Sequence, residues 1–349
     1  MDSDIRNNKP VKTAAFFPAD KFGCGYYRCM LPSISLCRMG IPAHIMTIDR
    51  INLYSIADSL ILQRPAEASM LNLIEEAHTS GVKTIFEIDD NIWELPVWNQ
   101  AYPFWTPIRQ KFCSDILEAA DMAVVSTEYL ADVVRQMNPN VVVVPNAIFD
   151  NNTLDLPIHT KDNEDSILIG WIGSSFHLLD TKIFRSLIPA ILDKYSNVKF
   201  LMMGEHPPRE LASYLHRIVA LPFVDPIYYH QILNSYTIDI GLAPLVDCEF
   251  NKSKSAIKMI EYLYTNTFPI CSDIEPYKKL NQACGDNFIL LPTSTEAAGT
   301  VDDWMDAIDY SIKNISEIKR KTQIGREYIM ENHNIESDKL KELYKKTYF

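Results

Sequence analysis

The stretch IGLAPLVDCEFNKSKSAIKMIEYLYTNTFPICSD, residues 240–273, holds one complete unit of the architecture. An apolar run over Ile238–Leu242 breaks into a polar loop. An amphipathic segment, Lys254–Tyr264, follows, and a second apolar run, Phe268–Ser272, returns. Short apolar runs closed by turn residues read as buried strands and the periodic segment between them as a helix, which is the pattern of parallel strands joined by helices.

Worked outward, the same alternation covers the chain. Toward the C-terminal side it gives strands at Ile167–Ile172, Val198–Met203 and Phe288–Leu291, with helices at Lys182–Tyr195 and Val301–Asn314. Toward the N-terminus it gives strands at Thr13–Pro18, Ala43–Ile48, Ser59–Gln63, Thr84–Ile88, Met122–Ser126 and Val141–Pro145, with helices such as Glu67–Ser80 and Ile108–Ala120. The segment Ile148–Asp165 is polar, rich in Asn and Asp, and without a sustained period, so it reads as a linker. A chain of 349 residues exceeds what one core organises well. The expected fold class is therefore α/β, two Rossmann-like domains facing a central cleft. The expected divisions are residues 1–150, a linker 151–166, a second domain 167–325, and a helical tail 326–349 packing back on the first domain. The pattern leaves strand order open.

Composition narrows the function classes. Hydrophobic residues make up 47% and Gly only 11 residues, enough to fold throughout. The net charge of −12 argues against broad attraction to nucleic acid or membrane surfaces. Residues 312–349 run the other way, with nine Lys or Arg against six Asp or Glu. A solvated helix face explains that balance, and docking to an anionic acceptor or membrane is the alternative. Seven cysteines, an odd number with no C-x-x-C pair, suggest neither a disulfide framework nor a zinc site. Reduced thiols and the absence of a signal-peptide pattern in MDSDIRNNKP lead to an expected cytoplasmic location, and no apolar run is long enough to span a bilayer.

Four segments carry candidate chemistry. In FGCGYYRCMLP, residues 22–32, Gly23 and Gly25 permit close backbone approach to a phosphate or sugar, and Arg28 suits a phosphate or a surface carboxylate equally. The third glycine and the ribose-binding acid of an ordinary dinucleotide site are missing. In FEIDDNIWELP, residues 86–96, Asp89 and Asp90 end a strand, where ligands of open α/β sheets bind; capping and a metal-binding acid pair are the other readings. In IGWIGSSFH, residues 169–177, Gly173 and Ser174 suit a diphosphate or a plain N-cap, and His177 reads as a structural or surface histidine. In the opening stretch, Asn251, Lys252, Lys254 and Ser255 lie in the loop, and Lys254, Lys258 and Glu261 share the face of an expected helix. Two lysines at a helix start oppose its dipole unless an anion accepts them, which favours phosphate recognition. Glu261 suits a ribose diol or an ion pair with Lys258. No P-loop, nucleophile elbow or H-E-x-x-H helix is present.

Taken in order, GCGYYRCMLP, LILQRP at Leu60–Pro65, FEIDDNIWELP, VVVVPNAIFD at Val141–Asp150, IGWIGSSFH and APLVDCEFNKSKSAIKMIEYL resemble the family 4 retaining glycosyltransferases of the GT-B fold, in their bacterial and phage branch. The resemblance spans nearly the whole chain. It implies transfer of a sugar from a nucleotide diphosphate sugar, of UDP or GDP type, with retention at the anomeric carbon and with neither a metal nor a separate cofactor. It implies that Gly173, Ser174, Lys254, Ser255 and Lys258 contact the diphosphate, that Glu261 contacts the ribose, and that Gly23 and Gly25 close over the donor. Asn251 and Arg28 join the expected donor-binding set, and Asp89 and Asp90 the catalytic one. The chain departs from the family pattern in having Asp89 and Asp90 where a histidine is common and Ser253 where the first of two glutamates falls. It also has one extra residue between Glu261 and Pro269, with Asn266 or Thr267 at a usual glycine. The acceptor implied is a glycan or lipid-linked glycan. Hydroxymethylated bases of DNA, a non-catalytic nucleotide-sugar-binding protein and a two-domain nucleotide-sugar epimerase are the rivals.

Overall fold

The computed structural model describes residues 12–47, 57–150, 156–159, 163 and 165–349. The N-terminal decapeptide, the end of the expected strand Ala43–Ile48 and most of the expected linker 151–166 lie outside the described residues.

The described chain forms two parallel six-stranded sheets flanked by helices. The first contains β1 (Ala14–Phe17), β2 (Ala43–Ile45), β3 (Ser59–Gln63), β4 (Lys83–Ile88), β5 (Met122–Val125) and β6 (Val141–Val143) in the order β2-β1-β3-β4-β5-β6. The second contains β7 (Ile167–Ile172), β8 (Val198–Met203), β9 (Ile218–Leu221), β10 (Ile240–Ala243), β11 (Phe268–Ser272) and β12 (Ile289–Leu291) in the order β12-β11-β10-β7-β8-β9. The central strands are buried on both faces, so apolar runs such as SLILQ and FPICS lack the alternation of a half-exposed strand. Among the described residues, the one strand the pattern does not reveal is β9 (IVAL), with three half-buried residues and exposed Ala220, at the sheet edge after a 3-10 helix.

Strand order places the site. In the first sheet the chain leaves β1 for β2 on one side and β3 on the other. In the second it proceeds through β8 and β9 on one side of β7 and through β10, β11 and β12 on the other. Each is a topological switch point, where loops leaving neighbouring strands part and open a crevice at the carboxyl ends. The loops after β1 and β3 hold Asp20–Gly25 and Arg64, and those after β7 and β10 hold Gly173–His177 and Leu245–Ser255.

The helix Asp338–Tyr348 crosses back to the first domain. Its Leu340, Tyr344 and Tyr348 belong to the same apolar cluster as Ala14 and Phe16, and the Tyr348 ring packs edge-on against Phe16 at 5.1 Å. Among the described residues no helix is long and apolar enough to cross a membrane.

One local expectation is corrected. The helix over Lys254–Tyr264 is broken: Glu249–Ser253 is helical, Lys254 is extended at φ −63° and ψ 158°, and the second helix runs over Ile257–Tyr264. Ser and Asn side chains in this run compete with the backbone for hydrogen bonds. The first domain takes up that competition, as Thr127 Oγ1 donates to the Ser253 carbonyl at 2.9 Å and Asn146 Nδ2 to Ser255 Oγ at 2.8 Å. The Gly173–Ser174 turn leads into a short 3-10 helix, Ser175–His177, and the helix expected over Lys182–Tyr195 runs over Phe184–Lys194.

Candidate functional site

A cavity of about 270 Å³ lies between the two domains. Gly173, Ser174, Lys254, Ser255, Lys258 and Glu261 line it from the second domain, and Gly23, Asp89 and Asp90 from the first. Lys254 reaches this wall from the extended break and not, as expected, from the helix that carries Lys258 and Glu261.

The second-domain wall is held by a relay that the sequence does not reveal. Asp180, 1% exposed, accepts from the Val246 amide at 2.9 Å and from Asn251 Nδ2 at 3.0 Å. Its other oxygen meets His177 Nδ1 at 2.8 Å, and Lys258 Nζ lies 3.0 Å from His177 Nε2. Lysine is a donor, so Nε2 accepts and Nδ1 carries the proton toward Asp180. Burial, with the charges of Lys258 and Lys254, lowers the His177 pKa to about 3, so the ring is neutral near pH 7. Burial and neighbouring Lys254, opposed by Glu261 and Asp180, lower Lys258 to about 8. The wall thus presents a desolvated ammonium whose charge an incoming anion would stabilise. Asn251 is fully buried and holds Asp180; it is a brace behind the wall and does not line the cavity.

Glu261 does not pair with Lys258. One oxygen accepts from the Tyr27 hydroxyl of the first domain, and the other from Tyr229 Oη at 3.0 Å. Tyr27 Oη also lies 3.2 Å from His230 Nε2, so a single tyrosine links Glu261 and His230 of the second domain to the first. Asn266, one of the two residues expected at a usual glycine, has φ 57° just past the end of the helix Ile257–Tyr264. Asparagine tolerates this left-handed conformation at a helix end.

The first-domain wall is acidic. Asp20 Oδ2 lies 2.6 Å from Arg64 Nη2, and Asp89 and Asp90 lie 3.8 Å and 3.6 Å from Arg64 Nη1. Three carboxylates therefore face one guanidinium. Burial and the charge of Asp89 raise the Asp90 pKa, with Lys254 and Arg64 opposing. Arg64 stands directly after β3 with φ 35°, a conformation that costs a non-glycine residue energy and is held by its ion pairs. Cys24 Sγ and one oxygen each of Asp89 and Asp90 lie within 4.8 Å of one another, a donor set whose charge Arg64 already balances in part.

Two expected donor contacts of the first domain fall elsewhere. Arg28 is 2% exposed and bonds Glu87 at 2.5 Å, the Val144 carbonyl at 2.7 Å and Asn146 Oδ1 at 2.8 Å. It is enclosed away from the cleft, orienting the Asn146 side chain toward Ser255. Gly25 donates its N–H to Asp20 Oδ1 at 3.2 Å, and a Cβ there would lie 2.0 Å from the Asp20 carbonyl oxygen. The glycine is needed for packing, and the carboxylate already occupies the helix start where an anion was expected.

No family model matches the chain, and no curated protein does. Its likeness is to solved structures. Over 97% of this chain and 98% of the other it superposes on sucrose-phosphate synthase from Thermosynechococcus elongatus, with TM-score 0.65 and 12% identity. Over 96% and 99% it superposes on Anabaena HepE in complex with UDP and glucose, with TM-score 0.65 and 10% identity. Over 95% and 93% it superposes on a Listeria monocytogenes protein assigned as a UDP-N-acetylglucosamine 2-epimerase, with TM-score 0.56 and 12% identity. At such identities the likeness is one of fold: the chain has the two-domain α/β architecture of the GT-B glycosyltransferases.

Proposed function

We propose that the protein is a retaining, metal-independent glycosyltransferase that uses a nucleotide diphosphate sugar of UDP or GDP type. One observation carries this reading: in the cavity of about 270 Å³ between the domains, a lysine wall faces a carboxylate wall. Transfer from such a donor develops negative charge on the leaving diphosphate and positive charge on the sugar ring. Fixed charges aimed at both stabilise that transition state more than the ground state.

In this reading Lys258, Lys254 and Ser255, with the Gly173–Ser174 turn, hold the diphosphate. Glu261 exchanges its Tyr27 partner for the ribose diol. The acceptor hydroxyl oxygen bonds to the anomeric carbon on the face that the phosphate oxygen vacates, as the bond from that carbon to the phosphate oxygen breaks, so the configuration is kept. The hydroxyl proton passes to Asp90, whose raised pKa suits a base, and the nucleoside diphosphate leaves. Asp89 supports the positive sugar. The acceptor is a glycan or a lipid-linked glycan, with a hydroxymethylated DNA base as the alternative acceptor.

The test is incubation with UDP- and GDP-sugars, with and without acceptor, and with product configuration followed by NMR. Acceptor-dependent release of nucleoside diphosphate with an α-linked product from an α-linked donor supports the reading. Interconversion of free nucleotide sugars without acceptor would assign an epimerase instead. Binding without turnover would assign a nucleotide-sugar-binding protein.

A further inference from the structure

A second cavity, of about 910 Å³, opens beside the first. The two share Asp90, Ser174 and Lys254, so Asp90 stands at their junction. Phe22 of the first domain and Phe223 of the second meet there edge to face, with centroids 5.9 Å apart.

We propose that this second cavity receives the acceptor and selects one with an apolar body attached to its reacting sugar or hydroxyl. The proposal rests on the transferase reading above and names the acceptor chemistry that reading leaves open. Three observations carry it. Met70, Ile92, Leu95 and Trp105 of the first-domain core line the cavity together with Phe250 of the second domain, which packs into that core, so an occupant enters against core side chains. Asp20, Arg64, Asp90, Asn99 and Lys254 also line the cavity and can take the hydroxyls of the reacting sugar, whereas a chain or ring set against the core side chains gains from leaving water. The rim carries two exposed rings, Phe22 at 61% and Phe104 at 53%, beside Glu67 and Arg109. The volume lies within the range that holds compact ligands, of about 300–1,000 Å³.

The test titrates the full chain by calorimetry with methyl, octyl and 4-nitrophenyl β-D-glucosides, the octyl compound below its micelle concentration, and with UDP in parallel. The octyl or nitrophenyl glucoside should bind at least about tenfold tighter than the methyl glucoside, the gain expected from burying a few methylenes or one ring. Octyl ahead assigns an acyl or prenyl chain, and nitrophenyl ahead an aromatic aglycone. Ala66→Trp, which fills a partly exposed position on the cavity wall, should abolish the preference and leave UDP affinity unchanged; Phe104→Ser at the rim should reduce it. Equal binding of the three glucosides overturns the proposal, as does a preference that survives Ala66→Trp. Tighter binding of a DNA duplex bearing hydroxymethylcytosine than of any glucoside overturns it too. Binding of UDP, or of GDP titrated likewise, without the apolar preference leaves the donor reading standing and overturns this proposal, whereas the preference with neither nucleotide bound fells the donor reading and with it the acceptor role.

Discussion

The two walls of the cleft do opposite electrostatic work and are built differently. The second-domain wall is wired in advance: Asn251 and the Val246 amide hold Asp180, Asp180 holds His177, and His177 holds Lys258. The first-domain wall is an under-compensated cluster, Asp20, Asp89 and Asp90 around Arg64, part of it exposed to the cavity. A preorganised cationic wall suits a ligand that arrives charged. An acidic wall with one raised carboxyl suits charge and protons that appear only during reaction. Binding and chemistry should therefore separate by domain.

Substitutions break or sharpen that separation. The largest expected effect is on Asp90→Asn, which should lower transfer about 10²- to 10⁴-fold, the usual contribution of a general base, with UDP affinity within about twofold of the parent. Parallel turnover and calorimetric measurements check it. Lys258→Met removes a charge-assisted contact and should weaken UDP binding about 10- to 100-fold by calorimetry. The titration of Lys258 gives a third effect. Its pKa of about 8 in the free protein means the ammonium is already charged below that pH, so affinity is flat there. As pH rises through that value the free lysine loses its proton, binding must take one up, and affinity should fall by up to about tenfold per pH unit. His177, near 3, adds no break around pH 6 from the protein side. The smallest effect is on Tyr27→Phe, which frees Glu261 from its cross-domain partner. If a ribose replaces that hydroxyl, UDP binding should tighten by about fivefold, the worth of one ordinary hydrogen bond.

The fold was readable because parallel strands buried on both faces leave continuous apolar runs: β3, β7, β8 and β11 fall at the expected residues. Strand order was not, since local pattern carries no information on lateral neighbours. Gly173, Ser174, Lys254, Lys258, Asp89 and Asp90 stand on the cavity because strand ends and polar loops signal the open edge of such sheets. The same rule reaches Arg64, the residue directly after β3, which the reading passed over. His177 carried a weaker signal, an acid three residues on at Asp180, on the same side of a helical turn. Tyr27 against Glu261 had none: the contact exists only once two domains separated by more than two hundred residues meet. Arg28 illustrates the opposite failure. A lone arginine beside glycines looks like a phosphate ligand, and only the three-dimensional structure shows Glu87 already bound to it.

The most direct test of the central claim, that the lysine wall is a nucleoside diphosphate site, is calorimetric titration of UDP, GDP and ADP into the parent and Lys258→Met proteins at neutral pH. The account predicts saturable, single-site binding of at least UDP or GDP to the parent and a clear loss of that affinity in the variant. Failure of all three to bind, or equal binding to both proteins, would contradict it.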